Sequence, residues 1–490
     1  MRRPIRAFAA TSVALALLAG CGGQLSDAEV LEANGAAPAA PGAAPGSVPG
    51  TVPGAVPPGT DPAAPPAADP NAPAPADLPN GAPAPGATTA PGTASGGNTG
   101  GKSGGKATTK PGAGTETQGS AVGTPGQTGP IVIGSVGNYS GPAGAAQAGI
   151  PRGVQVWAAD VNSRGGLFGR QVQVVVVDDG GDPARYTSAV RDLVENRKAV
   201  AFVGNGASLS MKGGTNYLQS NKIPVIGSDC SVPEWFTSPV YFPQCTRFEE
   251  QVRNIMVAGK KVSGKSKFGF VACSEANACT SQKPILLNQA KAAGVDLVYN
   301  ADVSLTQVDF TAECRNAQRA GVDLFYVAAD PNTLGRVARS CARQNFNPRY
   351  VQVAVSVGPA SKDLQGVGDL IASLPLFPFA GGSGPAIDAY TKALAQFSGA
   401  QPGPAEAYGW AAGKLFEKIA TDTARADQKL TPAGLVAAGS KIKGETLGGL
   451  TPPLNFTGGK AVPGDCYFVV QAKGGKWTTP LGSKAQCNGS

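Results

Sequence analysis

From Ile131 onward, short apolar runs rich in β-branched residues alternate with stretches whose apolar positions recur at helical spacing. The runs at 131–136, 171–177, 199–204 and 223–227 predict strands, with helices near 144–163, 183–196 and 208–220 between them. This βαβ punctuation implies a parallel sheet covered on both faces. A second set follows the same pattern. Strands are expected at 267–272, 295–300, 322–328 and 350–355, and helices near 247–260, 282–293, 309–319 and 332–344. Two similar α/β lobes are the simplest account. Further helices are expected near 384–398 and 404–420, then a Pro/Gly-rich stretch, and finally a hairpin in CYFVVQAKGGKWTTP with Gly474-Gly475 as its turn. Ligands of parallel sheets collect beyond the carboxyl ends of the strands, so loop residues there are the first site candidates.

Ahead of Ile131 this patterning stops. Residues 31–130 hold 20 of the 42 prolines, and no Phe, Tyr or Trp lies between Cys21 and Pro130. Such a stretch has too little large apolar side chain to offset the entropy of ordering it, so 21–130 is read as a disordered tether, extended where Pro/Ala-rich and looser where Gly/Ser/Thr-rich. Residues 1–20 carry Arg2, Arg3 and Arg6 and then the apolar run TSVALALLAG, which is too short for a membrane span and reads as a secretory signal peptide. The run ends Leu18-Ala19-Gly20-Cys21, which resembles the bacterial lipobox. That resemblance implies lipid on Cys21 and a chain anchored at the extracytoplasmic face of a bacterial cell membrane.

The 360 residues from Ile131 to Ser490 exceed the usual size of one hydrophobic core, again favouring two lobes. Without Arg2, Arg3 and Arg6 the formal charge falls from +8 to +5, too mild and too scattered to suggest a nucleic-acid partner. Besides Cys21 there are eight cysteines: Cys230, Cys245, Cys273, Cys279, Cys314, Cys341, Cys466 and Cys487. An even number in an exported chain suggests four disulfides. Pairing of neighbours in chain order is the expectation, although eight cysteines allow 105 pairings. A metal cluster is disfavoured by the absence of histidine and of any CxxC, and no cofactor is expected.

The opening IVIGSVGNYSGPAG, the segment AADVNSRGGLFGRQVQVVVVDDGGDP, and the runs AVAFVGNGASLS and NKIPVIGSD resemble the leucine/isoleucine/valine-binding type of periplasmic-binding protein, class I. So do QVDFTAECRNAQRAGVDLFYV and FVVQAKGGKW, and the resemblance spans nearly all of 131–490 in order. It implies two Rossmann-like lobes joined by a three-crossover hinge, the periplasmic-binding protein type I fold. Lobe one would be 131–247 plus 366–450, and lobe two 248–365 plus 451–490. The family holds amino-acid carboxylates with hydroxyls and backbone groups of two lobe-one loops, which here carries over to Ser208 of GNGAS and to Cys230 and Ser231. Both serines have an alternative role as helix caps. In lobe two the family's aromatic and acidic residues are not matched, for Ala278 lies near the first position and Ser356 occupies the second. Asp330 is positioned either to pair with a ligand ammonium or to cap the helix that follows it. Tyr139 and Ser140, after the first strand, point to the same cleft by topology. Beside the resemblance, Asn162, Gly165, Gly166 and Gly169 read as a helix end and tight reversal, Asp182 as an N-cap with Pro183 in the first turn, and Asp178 and Asp179 as loop residues.

The expected function is capture of a small polar solute (an amino acid, amide or related carboxylate) for an ABC importer. Its permease would be the membrane partner, and the chain would act as a monomer. An enzyme is disfavoured: no histidine supplies acid/base chemistry, there is no GxxxxGK[ST] phosphate loop, and GNGASLS has the wrong spacing for a dinucleotide fingerprint. A surface sensor or structural lipoprotein on the same fold is the competing reading.

Overall fold

A computed structural model describes residues 126–141, 144–227, 230–275, 277–426 and 429–488. The signal peptide, Cys21 and nearly all of the tether lie outside the described residues, as does the side chain of Ala278. No described helix is long and apolar enough to cross a membrane.

The first sheet has the order β2-β1-β3-β4-β5, from β1 (Ile131–Gly137), β2 (Val172–Asp178), β3 (Ala201–Val203), β4 (Val225–Ile226) and β5 (Tyr241–Phe242), all parallel. β1 is buried along almost its whole length, as a strand covered on both faces must be. Gly134 is required within it, because a Cβ there would lie 2.8 Å from the Phe202 ring. Helix α1 (Gly149–Ser163) crosses from β1 toward β2. At its end the Asn162 side chain both donates to Val172 O at 2.9 Å and accepts from Val172 N at 2.8 Å, so the reversal through Gly165, Gly166 and Gly169 is tied at its base. Helix α2 (Pro183–Glu195) starts on Asp182, whose carboxylate accepts from Ala184 N and Arg185 N, with Pro183 in the first turn.

The second sheet runs β14-β13-β10-β9-β8-β6-β7. Its parallel strands are β6 (Lys267–Cys273), β7 (Asp296–Val303), β8 (Leu324–Ala328), β9 (Arg349–Val353) and β10 (Asp369–Leu374). The C-terminal hairpin β13 (Cys466–Lys473) and β14 (Lys476–Thr478) adds antiparallel to β10, turning at Gly474-Gly475. Helices α3 (Phe248–Ser263), α4 (Gln282–Gln289), α5 (Thr311–Arg319) and α6 (Pro331–Arg343) belong to this half of the chain, and α7 (Pro385–Phe397) and α8 (Pro404–Arg425) pack back on α1 and the first sheet. The chain therefore passes between the two sheets three times, after β5, after β10 and after the short strand β12 (Leu454–Asn455), which pairs with β11 (Lys443–Glu445).

Three sequence expectations are corrected. Residues 369–374 form β10 in the second sheet, anchored by Asp369 to Arg349 at 3.1 Å and to Gln471 at 2.6 Å, so the second passage falls beyond Leu374 rather than at 366. Pro375 and Pro378, directly after the strand, mask its pattern in the sequence. The segment 208–220 is not one helix but a turn, a 3-10 turn at Met211–Gly213 and a short helix at Thr215–Ser220. Its glycines press on the neighbouring helix: a Cβ on Gly213 would meet Pro183 O at 2.4 Å and one on Gly214 the Tyr186 ring at 2.6 Å. Finally, β9 ends at Val353, and Ala354–Ser356 form a 3-10 turn instead of extending the strand to 355.

The disulfides join Cys230 to Cys245, Cys273 to Cys279, Cys314 to Cys341 and Cys466 to Cys487, each a neighbour in chain order. Cys314 and Cys341 tie α5 to α6 in a fully buried position.

Candidate functional site

The carboxyl ends of the first sheet are sewn together by aspartates. At the end of β2, Asp178 Oδ1 accepts from Tyr139 N at 3.0 Å and Ser140 N at 3.3 Å in the loop after β1, and from Gly180 N at 2.9 Å. Burial opposes its ionisation, but hydrogen bonds from the Ser140 side chain and from these backbone groups outweigh that and hold the carboxyl below its usual range. Asp179 is fully buried and accepts from the Ser210 hydroxyl and from Gly181 N, both at 2.7 Å; desolvation nonetheless leaves its carboxyl above the usual range. These contacts bind the loops after β1, β2 and β3 into one rim.

On that rim the sequence-predicted residues fare differently. Tyr139 is half-buried, with its hydroxyl turned inward to Ser135 Oγ at 2.8 Å and Gly204 O at 3.2 Å, and burial pushes the phenol above its usual range. Ser140 is exposed. Ser208 is half-buried in the turn after β3, beside Leu209, and makes no side-chain hydrogen bond among the described residues. Cys230, buried and with φ of 55°, follows β4 and is bridged to Cys245 in the first passage between the sheets; Ser231 beside it is half-buried. The structure thus gathers Tyr139 and the Ser208 loop on one sheet end, with Gly206 N 3.5 Å from the Tyr139 hydroxyl.

Asp330 and Ser356 lie at the ends of β8 and β9 in the second sheet. Both Asp330 oxygens are engaged by its own helix: Oδ1 accepts from Asn332 N at 2.8 Å and Thr333 N at 3.2 Å, and Oδ2 from the Thr333 hydroxyl at 2.6 Å. The carboxylate is an N-cap for α6, and its geometry serves the helix. Ser356 is buried and hydrogen-bonds with Tyr326, whose hydroxyl also donates to Gln282.

Between the two halves lies a cleft of about 240 Å³. One wall comes from the starts of α1 and α8, the other from Pro331, Ala354, Val355 and residues 357–359. None of the seven predicted ligand residues lines it. Its lining is mainly Ala, Val and Pro, with Arg152, Glu406 and Tyr408 as the polar residues. Arg152 Nη1 donates to Glu406 Oε1 at 2.8 Å. Sequence reasoning passed over this pair. The available signal was a single charge inside each of two apolar runs, GIPRGVQVW and PAEAYGWAAG, but nothing local brings the runs together. Among the described residues no group of three or more His, Cys, Asp or Glu side chains is placed to hold a metal ion.

Comparison with known proteins agrees with this architecture. The sequence model of a family described as periplasmic binding protein matches residues 130–476. A Leu/Ile/Val-binding protein homolog 2 of Brucella abortus is 23% identical over 246 residues, covering 47% of this chain and 64% of the relative, so the chain spans less than two thirds of that relative's length. A branched-chain amino acid ABC transporter protein from Thermus thermophilus with bound valine superposes with a TM-score of 0.64 at 16% identity, covering 74% of this chain and 98% of the other. An ABC transporter solute-binding protein from R. palustris in complex with benzoate gives a TM-score of 0.59 at 17% identity, with coverage of 74% and 98%. At such identities the superpositions show a shared fold, that of two Rossmann-like lobes of the type I periplasmic-binding class.

Proposed function

We propose, because the chain belongs to the periplasmic binding protein family, that it captures a small organic solute between two lobes and delivers it to the permease of an ABC importer. The observation that carries this reading is the cleft of about 240 Å³ bounded by both halves of a chain that passes three times between its sheets. A ligand touched by both halves favours whichever arrangement lets both touch it, and this couples occupancy to closure without any bond being broken. The lobes are assigned as 131–247 with about 375–456, and about 248–374 with 457–490, following the sheets.

Ser208 and Ser231, with backbone groups near Cys230, Tyr139 and Ser140, are assigned to the first-sheet rim outside the lining of that cleft, where they would reach a solute only as the lobes close. Lipid on Cys21 and the long Pro/Ala-rich tether would hold the domain outside the membrane. The fold and its relatives favour binding over catalysis, and the absence of histidine in the sequence is in keeping with that.

The test is a thermal-shift screen of the full chain against amino acids, amides, urea, short-chain acids and aromatic acids, with hits measured by calorimetry. A solute that binds only the folded protein raises its stability by about 2.7 kcal/mol at a hundredfold excess over Kd, so the midpoint should rise and saturate. An unmoved midpoint across the panel, from folded protein free of carried-over ligand, sinks solute capture and favours a sensor or structural role.

A further inference from the structure

The two charges on the cleft wall are not equivalent, and the difference bears on what the cleft accepts. Glu406 is enclosed, its side chain 9% exposed. Its Oε1 takes the Arg152 hydrogen bond, and both oxygens are wedged against glycines: a Cβ on Gly149 would fall 2.6 Å from Oε1, and one on Gly403 2.6 Å from Oε2. With Oε1 taken and the side chain largely covered, little of this carboxylate is left for an incoming ammonium. Arg152 is open by contrast, its side chain 48% exposed. It spends one N–H on Glu406 and has no other hydrogen-bond partner among the described residues, so most of its five donors remain available. No other lining residue carries a charge. Asp330, next in sequence to the lining residue Pro331, uses both oxygens on its own helix.

We propose, on the premise that this cleft is the solute site, that the solute is a small monocarboxylic acid with an apolar body and no ammonium group, its carboxylate held by the guanidinium of Arg152. The forked N–H geometry of arginine suits a carboxylate, and Glu406 steers the guanidinium from behind. The cleft also lies at the amino ends of α1 (Ala148 and Gly149), α6 (Pro331) and the 22-residue α8 (Pro404 to Glu406), whose dipoles add to the attraction for an anion. Walls of Ala, Val and Pro suit an aliphatic or aromatic body, and a volume of about 240 Å³ limits that body to a small one.

Calorimetry on the full chain decides this with probes that share a body and differ in charge: benzoate and hexanoate, benzamide, benzylamine, and the zwitterions phenylalanine and leucine. The acids should bind saturably and the others far more weakly. Arg152→Gln should weaken acid binding on the order of 10- to 100-fold, as expected for a lost charge-assisted hydrogen bond. Arg152→Lys, which keeps the charge without the fork, should fall between. Removing Arg152 alone strands the enclosed Glu406, so Arg152→Gln/Glu406→Gln is the companion variant, and it should show the same loss while keeping the circular dichroism spectrum of the parent. Tighter binding of a zwitterion, amine or amide, or acid binding unchanged in these variants, overturns the inference and leaves solute capture standing. No saturable binding by any of these probes to the folded parent overturns the inference, while solute capture stands or falls on the wider thermal-shift panel.

Discussion

At the scale of single residues, one side chain type serves two ends. Asp330 follows a strand at the place where a ligand contact is expected, yet its two oxygens meet three donors of its own helix. Asp330→Ala should therefore lower stability by about 1 kcal/mol, the usual cost of a lost N-cap, and leave solute affinity unchanged. Denaturant unfolding and calorimetry on the same variant read the two effects separately, and a large loss of affinity would return Asp330 to the ligand. Asp178 and Asp179 illustrate the same economy at the first-sheet rim, where their partners are loop amides and hydroxyls. Their placement after a strand was legible in the sequence. Which donors they meet was not, because Ser210 approaches from a different loop.

At the scale of elements, contact between α1 and α8 shapes the wall that carries Arg152 and Glu406. The two helices approach backbone to backbone: a Cβ on Gly153 would stand 2.2 Å from Glu406 O, one on Gly409 2.0 Å from Ile150 O, and one on Gly413 2.4 Å from Trp157. No side-chain rotation relieves a clash with a carbonyl. Gly409→Ala should cost about 3 kcal/mol as the helices are forced apart, shifting the urea midpoint with little change of slope. Gly368→Ala, where a Cβ meets nothing within 4 Å, is the control and should stay within about 0.5 kcal/mol. The helical character of both segments follows from their periodicity, but the glycines become meaningful only once the helices are paired. β10 shows the converse. A short apolar run followed by prolines reads as a loop until the ladders on either side supply its hydrogen bonds.

For the whole molecule, two sheets, three passages and a cleft between the halves make a solute clamp the natural reading, and the proposed lipid on Cys21 bears on where it works. Cys21→Ser should move the protein from the membrane fraction to the medium or periplasm without altering the solute affinity of the folded domain. Retention of the variant at the membrane would refute a lipid anchor at that position.

What the sequence by itself determined are properties that depend on short stretches of chain: alternating strands and helices, the capped start of α2, the glycine-rich reversal before β2, the Gly474-Gly475 turn, and a Pro-rich segment with no aromatic residue to build a core. Each is local, and local chemistry is written in order along the chain. Tertiary structure alone decided which strands share a sheet at β10, how Gly213 and Gly214 break a periodic segment into turns, and that Arg152 meets Glu406 across 254 residues. These depend on surfaces of separate elements that meet only when the chain packs, and no spacing in the sequence encodes such a meeting.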